Sequence, residues 1–269
     1  MTHGLPAEMR ACLFDLDGVI TDTTSSHAAV WRDVFDTWPH RHEHSGFRPF
    51  VADFDYGEFF DGRSGADGVR SFLSSRGIEL AEGGPGDPPG RDTVQGLVRR
   101  KTDLHEARTR SQVAEVCQDT IAYVTETRDR GLLTAVVTSN ANCREILRTA
   151  RVETFFDAWI DGAVAARRNL RSKPYPDTLL AAARDLGQHP AHCAAFDATQ
   201  AGMDAGRSGH FGWVVGVART GRTDALYARG ADIVVQSLRD LAGTPDRRPP
   251  AVIGHPSGTR SPLDFGYSP

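Results

Sequence analysis

The sequence predicts an α/β protein: a doubly wound, Rossmann-like parallel sheet core with an inserted helical cap domain. Three observations predict it. Short apolar runs alternate with helical patterns through the second half of the chain, the signature of a parallel sheet with helices on both faces. Residues 23–130 contain no strand-like run, so they read as a helical insertion. The first apolar run ends in two carboxylates and a glycine, at the carboxyl end of a strand, where such sheets bind their ligands.

The first predicted strand is ACLFDLD, Ala11 to Asp17, broken by Gly18. A helix follows, with Ala28, Trp31, Val34 and Phe35 on one face at helical spacing. The stretch WPHRHEHSGFRPFVADFDYGEFFDG has no period and is expected to be irregular. DGVRSFLSSRG predicts a second helix, and TVQGLVRRKTDLHEAR a third that continues toward Val124. The Gly/Pro-rich ELAEGGPGDPPGRD between them reads as a loop. Beyond the insertion, LLTAVVT (132–138) is a strand, ANCREILRTA a helix and DAWIDG a short strand. YPDTLLAAARDLG is a helix closed by Gly187, with Pro190 just beyond. HCAAFD, GWVVGVA and ADIVVQS are the remaining strands, and GMDAGRSG opens a helix after the first of them. After Leu241, proline, glycine and serine dominate and periodicity ends, which predicts a mobile tail. The division is a core of residues 1–22 and 131–243, a cap of 23–130 and a tail of 244–269.

A chain of 269 residues is long enough for a core domain with a smaller one inserted. The net charge of −4 argues against a general nucleic-acid or anionic-membrane binder. No apolar run approaches the roughly 20 residues of a membrane helix, and no long apolar signal region precedes the first strand. Cys12, Cys117, Cys143 and Cys193 lie far apart with no C-x-x-C pair. They read as reduced, mostly buried thiols rather than a zinc site or disulfide frame. A cytoplasmic monomer with no nucleic-acid or membrane partner is expected.

Asp15 and Asp17 lie two residues apart and face the same side if both keep the strand pleat. Two carboxylates held close cannot both ionise freely, so one tends to keep its proton. That makes an anionic nucleophile beside a proton donor. A bare D-x-D is ordinarily a solvated turn. Here it follows a four-residue apolar strand and precedes GVITDT, which favours a site.

The run FDLDGVITDT, with Thr23, His27 and Trp31 in and behind it, and DGVRSFLSSRGIEL in the insertion, carry a resemblance. Over roughly residues 10 to 241 the chain resembles the haloacid dehalogenase superfamily of phosphotransferases, within it the β-phosphoglucomutase-like branch. The resemblance implies Mg²⁺-dependent phosphoryl transfer on a small phosphorylated sugar. By it, Asp15 is the nucleophile that becomes an aspartyl phosphate. Asp17 is the general acid and base, and its backbone carbonyl helps hold Mg²⁺. A mutase of this kind passes the phosphoryl group between C1 and C6 of glucose, a phosphatase passes it to water, and both stay open. The D-x-D pair argues against dehalogenation, which does not need the second aspartate.

The remaining candidates follow the same two lines. Thr138, Ser139 and Asn140 offer a hydroxyl and successive backbone N–H groups ahead of a helix, which suits a phosphate. Ser and Asn also start helices, and both roles are compatible. The resemblance places Thr138 in the second motif, with Ser139, Asn140 and Asn142 around the phosphate and Ala141 where glucomutases carry a lysine. Pro174 stiffens the backbone after Lys173, and the resemblance makes Lys173 the group that neutralises the phosphorylated aspartate. It likewise matches Lys101 in LVRRKTDL, with Thr102 departing, and places His27 at the hinge, reaching the site. Packing beneath the cap is the other reading of His27. His40, His42 and His44 stand among charged residues and read as a solvated loop.

Two departures bear on activity. In FFDGRSGADG, Arg63 stands in for the cap lysine, and Gly65 occupies the place of the arginine that grips a second phosphate. Glycine cannot supply that bidentate contact, which argues against mutase specificity. In CAAFDATQAG, Asp197 keeps one acid of the family's Glu-Asp pair and Ala198 replaces the other. The implied metal set is then Asp15, Asp17 and Asp197, with Asp197 shifted inward and water and substrate phosphate completing it. Weaker metal binding is expected. The alternative is an impaired relative that binds a phosphorylated ligand without turnover.

Overall fold

The computed structural model describes residues 4–22, 24–38, 48–109, 115–219 and 223–241. Six strands, β1 (Ala11–Phe14), β2 (Leu133–Val137), β3 (Ala158–Ile160), β4 (Cys193–Asp197), β5 (Trp213–Val217) and β6 (Ile233–Val235), form one sheet. All neighbours pair in parallel, in the order β3-β2-β1-β4-β5-β6. The predicted α/β class holds, and each predicted strand is present. The first is shorter than expected. It ends at Phe14, and Asp17 lies in a turn where Gly18, at φ 81°, donates its N–H to Thr21 O at 2.7 Å.

Side chains alternate across the strands, and the core divides accordingly. Cys12 and Phe14 face one cluster, joined by Tyr123 and Val124 of helix α5 (Gln118–Asp129) and Leu147 of α6 (Cys143–Thr149). Ala11 and Leu13 face the other, with Leu179 of α8 (Asp177–Asp185), Met203 of α9 (Gln200–Ser208) and Leu226 of α10 (Thr223–Ala228). Phe14 stacks on Phe196 with ring centroids 4.6 Å apart and meets Tyr123 and Phe156 edge-on. Each such fully buried ring contributes about 1.5–3 kcal/mol. The short helices α7 (Gly162–Arg167) and α10 were not predicted, because six residues are too few to show a period.

Between β1 and β2 the structure is helical and has an apolar cluster of its own. It is built on Trp31 and Phe35 of α1 (Thr24–Asp36), Phe72 of α3 (Gly65–Ser74) and Leu97 of α4 (Val94–Thr109). Two expectations are corrected here. Part of the irregular stretch is ordered: α2 (Ala52–Asp55) runs into a π-type turn, Tyr56–Phe60. Phe50, Tyr56 and Phe60 turn into the cluster, while the Asp55 carboxylate accepts from Val51 N–H at 2.7 Å and pairs with Arg76 at 2.8 Å. Nor does α4 continue toward Val124. Its described residues run to Thr109, Val116 bridges to Thr21, and Cys117 N–H donates to Ile20 O at 2.8 Å before α5 begins.

Cys12, Cys143 and Cys193 are buried thiols and Cys117 is half-buried, none of them in a disulfide. Among the described residues no helix is long and apolar enough to cross a membrane. His40, His42, His44 and the tail from 244 onward lie outside the described residues.

Candidate active site

Adjacent strands β2, β1 and β4 deliver Thr138, Asp15 and Asp197 to one edge of the sheet. Asp15 N–H still donates to Phe196 O at 2.9 Å, so the residue keeps the direction of β1 although its strand has ended. Lys173, in the loop before α8, points into the same place. Its Nζ lies 3.0 Å from Asp15 Oδ1, 2.6 Å from Asp197 Oδ2 and 3.2 Å from Val137 O. An ammonium has three donors, and all three find acceptors. Asp15, Lys173 and Asp197 are all buried.

Burial pushes the Asp15 carboxyl well above the ordinary carboxylate range, and the neighbouring Asp197 and Asp17 charges push the same way, against the pull of Lys173. Burial would lower Lys173, but the Asp15 and Asp197 carboxylates more than offset it and hold the ammonium charged. Two carboxylates, Asp15 and Asp197, share Lys173, and the charge of Asp17 also acts on Asp15.

The Asp197 carboxylate is engaged through both oxygens. Its Oδ2 takes Lys173, and its Oδ1 accepts from both the N–H and the hydroxyl of Thr199 at 2.8 Å. Thr199 also caps α9, accepting from Gly202 N–H at 2.9 Å. A β-carbon at Gly202 would collide with the Asp197 carboxyl group. Thr199 and Gly202 were not singled out as site residues, yet T-x-x-G after the strand is a legible cap pattern.

Asp17 sits on the tight turn rather than on the strand pleat, but it lines the same cavity as Asp15. His27 Nε2 is 3.5 Å from Asp17 Oδ1, and His27 Nδ1 is 3.0 Å from Lys101 Nζ. An ammonium only donates, so Nδ1 accepts and the imidazole proton sits on Nε2, facing Asp17. Burial lowers the pKa of His27, with Lys101 adding to the effect against Asp17. Burial also brings Lys101 down to about 8. His105, one turn along α4, meets His27 with ring centroids 4.4 Å apart and tilted planes, and is brought down to about 4, chiefly by burial. Sequence reasoning found His27 and Lys101 and missed His105, which no spacing rule marks.

The loop after β2 forms another wall. Thr138 N–H donates to Ile160 O at 3.0 Å, and its hydroxyl accepts from Asn140 N–H at 3.1 Å. Asn140 Oδ1 accepts from Asn142 N–H at 2.9 Å, and Asn142 precedes α6 without a side-chain cap of its own. Thr138, Ser139, Asn140 and Asn142 all line the cavity, which encloses about 290 Å³. Trp31, Arg63, Gly65 and Lys101 line it from the helical block. A β-carbon at Gly65 would meet Trp31 Cζ2 at 3.4 Å and Val98 at 3.5 Å, ordinary van der Waals contact, so Trp31 and Val98 pack against this position.

The predicted metal set is only partly assembled. Among the described residues no three His, Cys, Asp or Glu side chains converge to hold a metal ion. The expected inward shift of Asp197 is not found, because Lys173 and Thr199 take both its oxygens. Asp15 and Asp17 remain. Mg²⁺ is often held by one or two carboxylates with water and substrate phosphate, so this smaller donor set fits that ion.

Three comparisons frame the site. The family model described as hydrolase, haloacid dehalogenase-like hydrolase, matches residues 9–210. A β-phosphoglucomutase of Mycobacterium bovis is 43% identical over 244 residues, covering 88% of this chain and 93% of that protein. A trehalose-phosphate phosphatase of Mycobacterium leprae is 31% identical over 134 residues, 48% of this chain and 29% of that protein. Among solved structures, a β-phosphoglucomutase from Clostridium difficile superimposes with a TM-score of 0.66 at 20% identity, over 87% of this chain and 93% of its own.

Proposed function

The chain belongs to the haloacid dehalogenase-like hydrolase family, and on that premise we propose that it moves the phosphoryl group of a small phosphorylated sugar through Asp15. It is a phosphoryl-transfer enzyme of that family. The observation that carries the finer reading is the contact of buried Asp15 with Lys173 at the floor of a cavity that Asp17 also lines.

The chemistry follows from the placement of the groups. Phosphoryl transfer needs positioning and charge stabilisation more than covalent help from the protein. The Thr138 hydroxyl and the loop through Asn142 hold the phosphate against Asp15. An Asp15 oxygen attacks phosphorus, and the bond from phosphorus to the sugar oxygen breaks. Asp17 gives that oxygen a proton, leaving an aspartyl phosphate. Asp17 then takes a proton from the incoming hydroxyl, of water or of a second sugar position, as that oxygen attacks phosphorus and frees Asp15. Lys173 stays charged beside Asp15 and counters the charge that builds on the transferring group. Mg²⁺ held by Asp15, the Asp17 carbonyl and the substrate phosphate would neutralise the phosphate oxygens. The helical block of 23–130 acts as a cap: Lys101 and His27 bring cationic and hydrogen-bonding groups to Asp17 and narrow the cavity around the sugar.

The test is an assay with β-glucose 1-phosphate and a panel of sugar phosphates, with and without Mg²⁺, following both isomerised sugar phosphate and released inorganic phosphate. The reading predicts Mg²⁺-dependent turnover of at least one substrate, abolished in Asp15→Asn. Isomerisation identifies a mutase and release identifies a phosphatase. No turnover of any sugar phosphate overturns the reading.

A further inference from the structure

The helical block also touches the two loops that hold the Lys173–Asp197 pair. Ser172, immediately before Lys173, donates its hydroxyl to Asp67 Oδ2 at 2.6 Å. Asp67 lies in the first turn of α3 and is itself fixed. The Ser64 hydroxyl donates to the same oxygen at 2.6 Å and accepts Asp67 N–H at 3.2 Å, and Arg70 pairs with the other oxygen. Burial would raise the Asp67 carboxyl, but the bonds from Ser172, Ser64 and Arg70 hold it below the usual range, so it stays ionised as an acceptor. The second contact is at Gly62. Its φ of 74° favours glycine, and a β-carbon there would collide with the hydroxyl of Thr199, the residue that fixes Asp197.

Lysine has four rotatable side-chain bonds, yet Nζ must meet three acceptors at once. A loop shift of an ångström would break that set. We propose that Asp67 and Ser172 are positioning residues, whose hydrogen bond fixes the Lys173 loop so that Nζ engages Asp15 and Asp197 when the helical block lies over the site. Neither residue lines the cavity, so neither touches substrate. Their removal acts on the chemical step and not on substrate binding. This rests on the reading of Lys173 as the charge partner of Asp15.

The test compares Ser172→Ala, Asp67→Asn, the double variant and Ser172→Thr in the full-length chain. Each single variant lowers kcat about tenfold, the scale of one charge-assisted hydrogen bond, with KM within about twofold. The double variant is no worse than Asp67→Asn alone, because the shared bond is already lost there, and Ser172→Thr, which keeps the hydroxyl, restores most of the rate. Without substrate, amide hydrogen exchange in the 171–175 loop accelerates in Ser172→Ala and in Asp67→Asn. Additive losses, a change confined to KM, or unchanged loop exchange overturns the proposal. The exchange measurement needs no turnover. A chain that transferred no phosphoryl group would therefore sink the catalytic reading while loop exchange still decided this one.

Discussion

Lys173 Nζ lies 2.6 Å from Asp197 Oδ2, with both side chains buried, at the place where the sequence departs from its family. The acid retained before Ala198 serves the lysine. That relationship recasts the motif: Asp197 pairs with Lys173, which under the proposed function leaves Asp15 and Asp17 as the carboxylates for Mg²⁺.

Removing Asp197 should therefore be costly to the fold as well as to activity. Breaking a buried ion pair strands the remaining charge and costs about 3–5 kcal/mol. Asp197→Ala is expected to lose about 3 kcal/mol or more in urea unfolding, and Asp197→Asn, which keeps the shape and the Thr199 contacts, less. A loss below about 1 kcal/mol for the alanine variant would place the stabilisation elsewhere.

Gly202→Ala tests the same relationship from behind. Glycine to alanine inside a helix ordinarily stabilises by about 1 kcal/mol. Here the new β-carbon collides with the Asp197 carboxyl group. The expected result is the opposite sign, a destabilisation of about 1–3 kcal/mol, with a fall in kcat. Thermal unfolding and steady-state rates measure both, and a more stable variant of unchanged rate would contradict the geometry.

Ala198→Asp returns an oxygen ligand to a site that has few. Half-saturating Mg²⁺ for activity is expected to fall about tenfold or more. Without Mg²⁺ the added carboxylate should push Asp15 further up, as Asp17 and Asp197 already do. A magnesium titration that leaves the midpoint unmoved would mean that position 198 does not face the ion.

Lys101 gives a pH signature with a definite sign. Its pKa is about 8 in the folded chain, against about 10.4 unfolded. Between these values the unfolded chain carries a proton that the folded chain lacks, so the stability from this group rises with pH. Below about 8 both states are protonated and the burial penalty is complete. Lys173 is shifted the other way, so its contribution is lost only above the ordinary lysine range and does not mask the window. Unfolding free energies from pH 7.5 to 10, on the order of these limits, should climb in the wild type relative to Lys101→Met. Parallel curves would show that Lys101 is not depressed.

Much of this was legible in the sequence, for identifiable reasons. Strands such as LTAVV and WVVGV are buried on both faces and read as unbroken apolar runs. Asp15, Asp17 and Thr138 each end or follow such a run, so their arrival at one end of the sheet was predictable, whereas Lys173 precedes a helix and was marked by its proline and the family resemblance. What was missed depends on distant partners. The segment Ala52–Phe60 has a glycine and three acids and shows no period, and it is helical because Tyr56 and Phe60 are drawn into an aromatic cluster. The break ahead of α5 follows from the pairing of Val116 with Thr21, 95 residues earlier in the sequence numbering. The contacts of Asp197 with Lys173 and of Asp67 with Ser172 join residues 24 and 105 positions apart, which local pattern cannot foresee.

Transfer of the phosphoryl group through Asp15, as proposed above, leaves an aspartyl phosphate that can be trapped. The most direct measurement is rapid acid quench of the full-length protein with Mg²⁺ and a turned-over sugar phosphate, followed by peptide mass mapping. The account predicts the mass of one phosphoryl group on the peptide carrying Asp15, placed on that residue, and its absence in Asp15→Asn. Turnover with no phosphorylated Asp15 at any quench time, or with the label on another residue and retained in Asp15→Asn, would contradict it.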